Sequence, residues 1–139
     1  MHFFGHRDAP KLIMPALRDA IVGLIENDEV RNFYVGNQGN FDRMVRNALE
    51  ELSCKYKINY TVVLAYFPKE KDNKLSALTV MPDGIERVHP RFAISYRNKW
   101  MLNKADYVVT YVTYSWGGAA KFKEMAKKKN KKVINITNL

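Results

Sequence analysis

Much that would assign a chain to a specialised class is missing from this one. A single cysteine, Cys54, stands among 139 residues. No internal disulfide can form, and the expectation is a reducing, cytoplasmic setting with Cys54 as an inert packing residue on a helix. The three histidines, His2, His6 and His89, lie at no ligand spacing with Cys54 or with a cluster of carboxylates, so no metal site is expected, and no cofactor is called for. No apolar run approaches the roughly 20 residues that cross a bilayer, and the first residues lack the pattern of a secretory signal, so no membrane partner is expected. Repeats, linkers and low-complexity tails are absent. Acids are scarce as well, with 14 Asp and Glu against 23 Lys and Arg and a formal net charge of +9.

What is present is ordinary globular material, 47% hydrophobic and 27% charged. That is enough for one domain over residues 1–139 with a core of its own. Seven of the lysines fall between Lys121 and Lys132, offset only by Glu124. On a helix that turns Ala119, Ala120, Phe122, Met125 and Ala126 inward, they form the solvated face. The charge is therefore read as a surface property, and nucleic acid is not the expected partner. A basic patch would still attract phosphorylated molecules in a salt-dependent way.

The periodicity alternates between strand and helix along the whole chain. His2–Phe4 reads as a strand, about Lys11 to Asn27 as a helix crowded at its start by Pro10 and Pro15, and Asn32–Val35 as a second strand. A helix from about Phe41 to Lys55 follows, then a third strand, Tyr60–Tyr66, apolar enough for burial on both faces. Phe67 to His89 is a long irregular connection containing a short strand at Leu78–Met81. Ser95 is placed to cap a helix from Tyr96 to Asn103. Asp106–Val112 is the next strand, Gly118–Lys129 the last helix and Lys132–Ile136 the last strand. This order predicts an α/β fold, a Rossmann-like three-layer α/β/α sandwich around a mostly parallel, doubly wound sheet.

In such sheets, ligands bind outside the carboxyl ends of the strands. That rule gathers three glycine-bearing turns on one rim: Gly5-His6-Arg7, Gly36-Asn37-Gln38-Gly39 and Ser115-Trp116-Gly117-Gly118-Ala119. The last is the most informative, since a strand ending in Gly-Gly and opening a helix offers backbone N–H groups to an anion. Arg7 suits a planar anion contact, and His6 is either an acid/base or a hydrogen-bonding turn residue. Lys121, in the first turn of the last helix, either meets phosphate or points to solvent. Tyr96, Tyr114 and Trp116 are candidates for stacking on a base, or for packing. Asp42, in the first turn of the second helix, is sufficiently explained by the helix dipole. Glu124, seven residues past Gly117, reads either as a surface acid or as a carboxylate for a ribose or a cationic sugar.

Several segments together, Phe3–Asp8, Phe33–Asp42, Pro90–Ile94, Arg97–Met101 and Ser115–Lys121, resemble a bacterial family of small proteins in the SLOG superfamily, the Smf/DprA and LOG-like Rossmannoid domains. The resemblance spans essentially the whole chain. It implies a Rossmann-like fold with a pocket for nucleotides or nucleotide-derived ligands, and a homodimer. In the LOG branch, phosphoribohydrolases cleave nucleoside monophosphates, and by resemblance Arg97 falls on that branch's arginine, Gly117 and Gly118 on its glycines and Glu124 on its glutamate. Trp116 replaces its proline, and Ala120-Lys121 replace the Gly-Thr that helps to hold phosphate.

Three functions follow. The first is hydrolysis of an N-glycosidic bond, with Arg97 orienting a ribose phosphate and Glu124 stabilising the oxocarbenium-like state. The second is non-catalytic sensing of a nucleotide or ADP-ribose-type signal. The third is single-stranded DNA binding as in the DprA branch, disfavoured because no groove of interleaved aromatic and basic residues is legible.

Overall fold

The computed structural model describes residues 1–67, 78–113 and 115–136. Six strands, β1 (His2–Gly5), β2 (Asn32–Val35), β3 (Asn59–Val63), β4 (Leu78–Val80), β5 (Tyr107–Tyr111) and β6 (Lys132–Asn135), form one sheet in the order β4-β3-β2-β1-β5-β6. Every pairing is parallel. Among the described residues, four α-helices connect them: α1 (Met14–Asn27), α2 (Gly39–Leu52), α3 (Ala93–Lys104) and α4 (Gly118–Lys128). The architecture is the expected Rossmann-like α/β fold.

Side-chain alternation divides the core between the two faces of the sheet. Phe3, Phe33, Val35, Val62 and Val109 pack with Leu17, Ile21 and Leu24 of α1 and with Val45, Ala48 and Leu49 of α2. Phe4, Val63 and Val108 face the other way, onto Met101 and Leu102 of α3 and Phe122 and Ala126 of α4. Neighbours in sequence, such as Phe3 and Phe4 or Val108 and Val109, thus serve opposite layers. Strands covered on both sides are apolar almost throughout, as a parallel sheet requires.

Chain direction across the sheet reverses beside β1. From β1 the chain steps outward to β2 and β3, and α3 then returns it to β5, which lies on the other edge of β1 with His2 opposite Val108 and Gly5 opposite Tyr111. Just beyond the carboxyl ends of β1 and β5, the first helices of the two halves diverge and leave a crevice.

Several boundaries differ from the sequence reading. A 3-10 turn, Lys11–Ile13, precedes α1, and Pro15 sits in the first turn of α1, where its missing N–H is harmless. Helix α2 starts at Gly39 and ends at Leu52. Cys54 therefore lies in the following turn, exposed to solvent and not packed, its Sγ against the Glu50 carbonyl. Ser95 does not cap α3, since it lies inside the helix. A 3-10 turn, Pro90–Phe92, leads into α3, and there the His89 ring accepts the Arg91 N–H at 3.1 Å, the role the sequence had suggested for serine. Strand β3 stops at Val63, short of Tyr66. Of the long connection expected over Phe67–His89, residues 68–77 lie outside the described set, as does Tyr114.

One buried group stands apart. His2, in the middle of the sheet, stacks on Tyr34 with ring centroids 5.0 Å apart, and neither ring nitrogen has a hydrogen-bond partner. Burial, reinforced by neighbouring positive charges, pushes its pKa down to about 2, so the ring is neutral at physiological pH.

Candidate functional site

The crevice encloses a cavity of about 320 Å³. It is lined by the end of β1 (Gly5, His6, Arg7 and Asp8), by Gln38 and Asp42 at the start of α2, by Ile94, Arg97 and Asn98 of α3, and by Gly117, Gly118 and Ala119 at the start of α4. Four segments distant in sequence meet there because the parallel sheet aligns their strand ends.

His6 closes the floor. It is 4% exposed, and its Nε2 accepts the Thr113 N–H at 2.9 Å, tying the end of β1 to the segment that leads into α4. That bond assigns the proton of the neutral ring to Nδ1. Burial lowers its pKa, opposed by Asp8, so His6 is a neutral acceptor at pH 7. Within the fold it acts as a hydrogen-bonding turn residue.

Beside the α2 turn the cavity holds two buried side chains of opposite charge, Arg97 and Asp42. Arg97 is 3% exposed, and its Nε and Nη2 donate to Asn98 Oδ1 at 3.2 and 3.0 Å, while Nη1 has no hydrogen-bond partner. Asp42 is 7% exposed, and its Oδ2 accepts the Gln38 N–H at 3.0 Å. Both face Gly36, where an added Cβ would lie 2.6 Å from Asp42 Oδ2 and 2.9 Å from Arg97 Nη1. Burial raises the pKa of Asp42, against the pull of Arg97, the Gln38 N–H, Arg46 and Arg7. Burial lowers that of Arg97, against Asp42 and Tyr66. The guanidinium stays charged, since arginine starts so far above neutrality.

The turn from Gly36 to Gly39 is consumed by the protein itself. Asn37 Oδ1 accepts from Arg46 Nη1, Asn40 N–H donates to the Arg7 carbonyl at 2.8 Å, and Asp42 takes the Gln38 N–H. Gly39 has φ +83°, and a side chain there would run into the Arg7 backbone. Gly5 is glycine because a Cβ would overlap the Phe41 ring.

The start of α4 is different. Gly117, its N-cap, has φ 91° and supplies no capping side chain, and the first turn carries no acid. A Cβ on Gly118 would meet nothing within 4 Å. Neither backbone conformation nor packing demands a glycine at 118, and the space beside it belongs to the cavity. Uncapped N–H groups there carry the positive end of the helix dipole.

Of the residues singled out from sequence, Gly5, His6, Arg7, Gln38, Arg97, Gly117, Gly118 and Ala119 line the cavity, and Gly36 lies directly behind Arg97 and Asp42. Asn37 and Gly39 belong to the scaffold of the α2 turn. Ser115, Trp116 and Lys121 are exposed outside the lining. Tyr96 donates to the Asp83 carbonyl at 2.6 Å and packs on the Ala65, Ile85 and Ala93 cluster, away from the cavity. Glu124 lies in a separate depression of about 340 Å³ with Thr113, Ser115 and Lys123. Its side chain is 64% exposed and 3.8 Å from Lys127. Asp42 was the residue that sequence reasoning undervalued. An acid in a first helical turn has a sufficient local explanation, and its proximity to Arg97 is visible only once α3 is placed.

This is the class of molecule that the fold defines: a Rossmann-like domain with a crevice at the reversal point of its sheet. No protein-family model and no curated protein sequence matches the chain. Among solved structures, the fold matches the DNA processing protein A (DprA) of Streptococcus pneumoniae, with a TM-score of 0.74 and 16% sequence identity over 96% of this chain. The chain spans 48% of that protein's length. Among the described residues, no helix is long and apolar enough to cross a membrane, and no group of three or more His, Cys, Asp or Glu is arranged to hold a metal ion.

Proposed function

We propose that this domain binds a nucleotide or nucleotide-derived ligand through its phosphate, as a sensor or carrier. The observation that supports this most directly is the pairing, across one cavity, of the uncapped α4 N-terminus with the buried Arg97 guanidinium, which retains unused hydrogen-bonding capacity. The cavity, at about 320 Å³, is in the range of small-ligand sites.

Binding is preferred to N-glycoside hydrolysis. In the hydrolase reading Arg97 and Glu124 act on one sugar, whereas Glu124 is solvent-exposed, bound to Lys127 and in the neighbouring depression. The test is prolonged incubation with nucleoside monophosphates, NAD and ADP-ribose derivatives, monitored for released base and for thermal stabilisation, with Glu124→Ala in parallel. Stabilisation without base release, equal in both proteins, is the expected result. Base release that Glu124→Ala abolishes would replace sensing by hydrolysis.

DNA binding is kept as a second reading for one reason: the structural match is to a protein described as DNA-processing, and α4 carries a row of lysines. Its signature is affinity for single strands that falls steeply with salt and survives Arg97→Met.

A further inference from the structure

Resting on the phosphate-binding reading above, we infer that the cleft is matched to a singly charged phosphodiester and discriminates against the dianionic phosphomonoester.

Charge balance carries the inference. Four ionised side chains line the cavity, Arg7 and Arg97 against Asp8 and Asp42, and their formal charges cancel. The remaining lining titratable group, His6, is a neutral acceptor for the Thr113 N–H. What is left over is the partial charge of the α4 N-terminus, equivalent to about half an elementary charge. With Asp42 protonated, the lining still carries only one net positive charge. Lys121 in the first turn of α4 is exposed and outside the lining, and Arg46, behind Asp42, is engaged with Asn37.

With Asp42 ionised, a dianion taken from water into this cavity would leave about one and a half charges uncompensated beside two aspartates, and a monoanion about half of one. A diester carries one negative charge and two non-bridging oxygens. It suits one guanidinium and one helix N-terminus, and its second ester arm needs an open approach. Gly118 supplies that approach, with no atom within 4 Å of where its side chain would stand. A phosphodiester occurs both in cyclic or capped mononucleotides and in the backbone of a nucleic acid strand, and the charge argument applies equally to each.

The test compares a nucleoside 5′-monophosphate with its 5′-methyl ester, for each of four bases, by calorimetry with the full chain. The pair shares base and sugar and differs in one charge. At pH 8 the methyl ester should bind about 10-fold more tightly. By pH 6, near the second pKa of a phosphomonoester, about half the monoester is monoanionic and the gap should narrow to about twofold. Asp8→Asn, at an exposed side chain, adds one net positive charge to the lining and should raise the monoester's relative affinity several-fold at pH 8. A monoester that binds as tightly as, or more tightly than, its ester at pH 8 overturns the inference while leaving phosphate binding intact. If neither form of any base binds at millimolar concentration, the phosphate-binding reading fails as well. Under the expected result, a 3′,5′-cyclic mononucleotide and a short single-stranded oligonucleotide separate the sources. Tight binding of the first and weak binding of the second identifies a small-molecule diester, and the reverse identifies a strand.

Discussion

Helices α2 and α4 begin alike in sequence and differently in space. Each follows a central strand through a glycine-bearing turn, and each has one glycine at positive φ, Gly39 at 83° and Gly117 at 91°. At α2 the free N–H groups are taken internally: Asp42 receives Gln38, the Arg7 carbonyl receives Asn40, and side-chain volume is excluded by packing. At α4 no acid occupies the first turn, no side chain caps the end, and Gly118 faces open space. One glycine turn is therefore a joint of the scaffold, while the other leaves its N–H groups uncapped beside the cavity. The decisive residue is the one at the end of the first turn, Asp42 in the first case and Lys121 in the second.

The largest effect should come from filling the closed turn. Gly36→Ala places a methyl group against both Asp42 and Arg97, and overpacking of this kind should cost about 3 kcal/mol in stability along with ligand binding, measured by denaturant unfolding. An unchanged midpoint would mean that the α2 turn is looser than described. Next is Arg97→Met, which removes the guanidinium but keeps much of its volume. Phosphate-ligand affinity should fall about 100-fold, or about 2.7 kcal/mol, by calorimetry. An equal affinity in the variant would move the anion site off the α3 wall.

Gly118→Ala should behave oppositely to Gly36→Ala. Its stability should stay within about 1 kcal/mol of the parent, since alanine favours helix, while ligand affinity drops about tenfold. Loss of stability with binding retained would invert the assignment of the two turns. The smallest effect concerns acidity. The folded pKa of His6 is lowered below its usual 6.5, so the stability linked to its neutral form is complete above pH 6.5 and declines as pH falls below that value. Because protonated Nε2 cannot accept the Thr113 N–H, amide exchange near Thr113 should accelerate on acidification before that at Gln38 and Asn40. Simultaneous acceleration at both would show that His6 is not what anchors the α4 side.

Long, strongly patterned elements were legible from sequence. Asn32–Val35 and the start of α4 at Gly118 fall where expected, because an aromatic and apolar run closed by a glycine turn and a Gly-Gly junction leave few choices. The start of α3 was not, because a histidine ring and a 3-10 turn do the work assigned to Ser95. Residues of all three turns singled out by the strand-end rule lie along one cavity, but only Gln38 of the second and Gly117–Ala119 of the last line it. Glu124, six residues along α4 from Gly118, is carried about 9 Å down the helix axis at 1.5 Å per residue, into another depression. Asp42 and Arg97 both approach Gly36 once α3 is in place, a meeting of distant segments that no local pattern encodes.

That last approach has a kinetic meaning. Arg97 arrives on the helix that returns the chain across the sheet, and Gly118 arrives later still, so the cleft comes into being only after both halves have docked beside β1. A chain with only β1–β3 and their helices assembled would hold Asp42 and Arg7 but neither Arg97 nor the α4 N-terminus. Ligand would then favour the finished fold alone, by mass action. It would leave the refolding arm of a chevron in place and lower the unfolding arm, making occupancy of the crevice a brake on unfolding rather than a guide to folding.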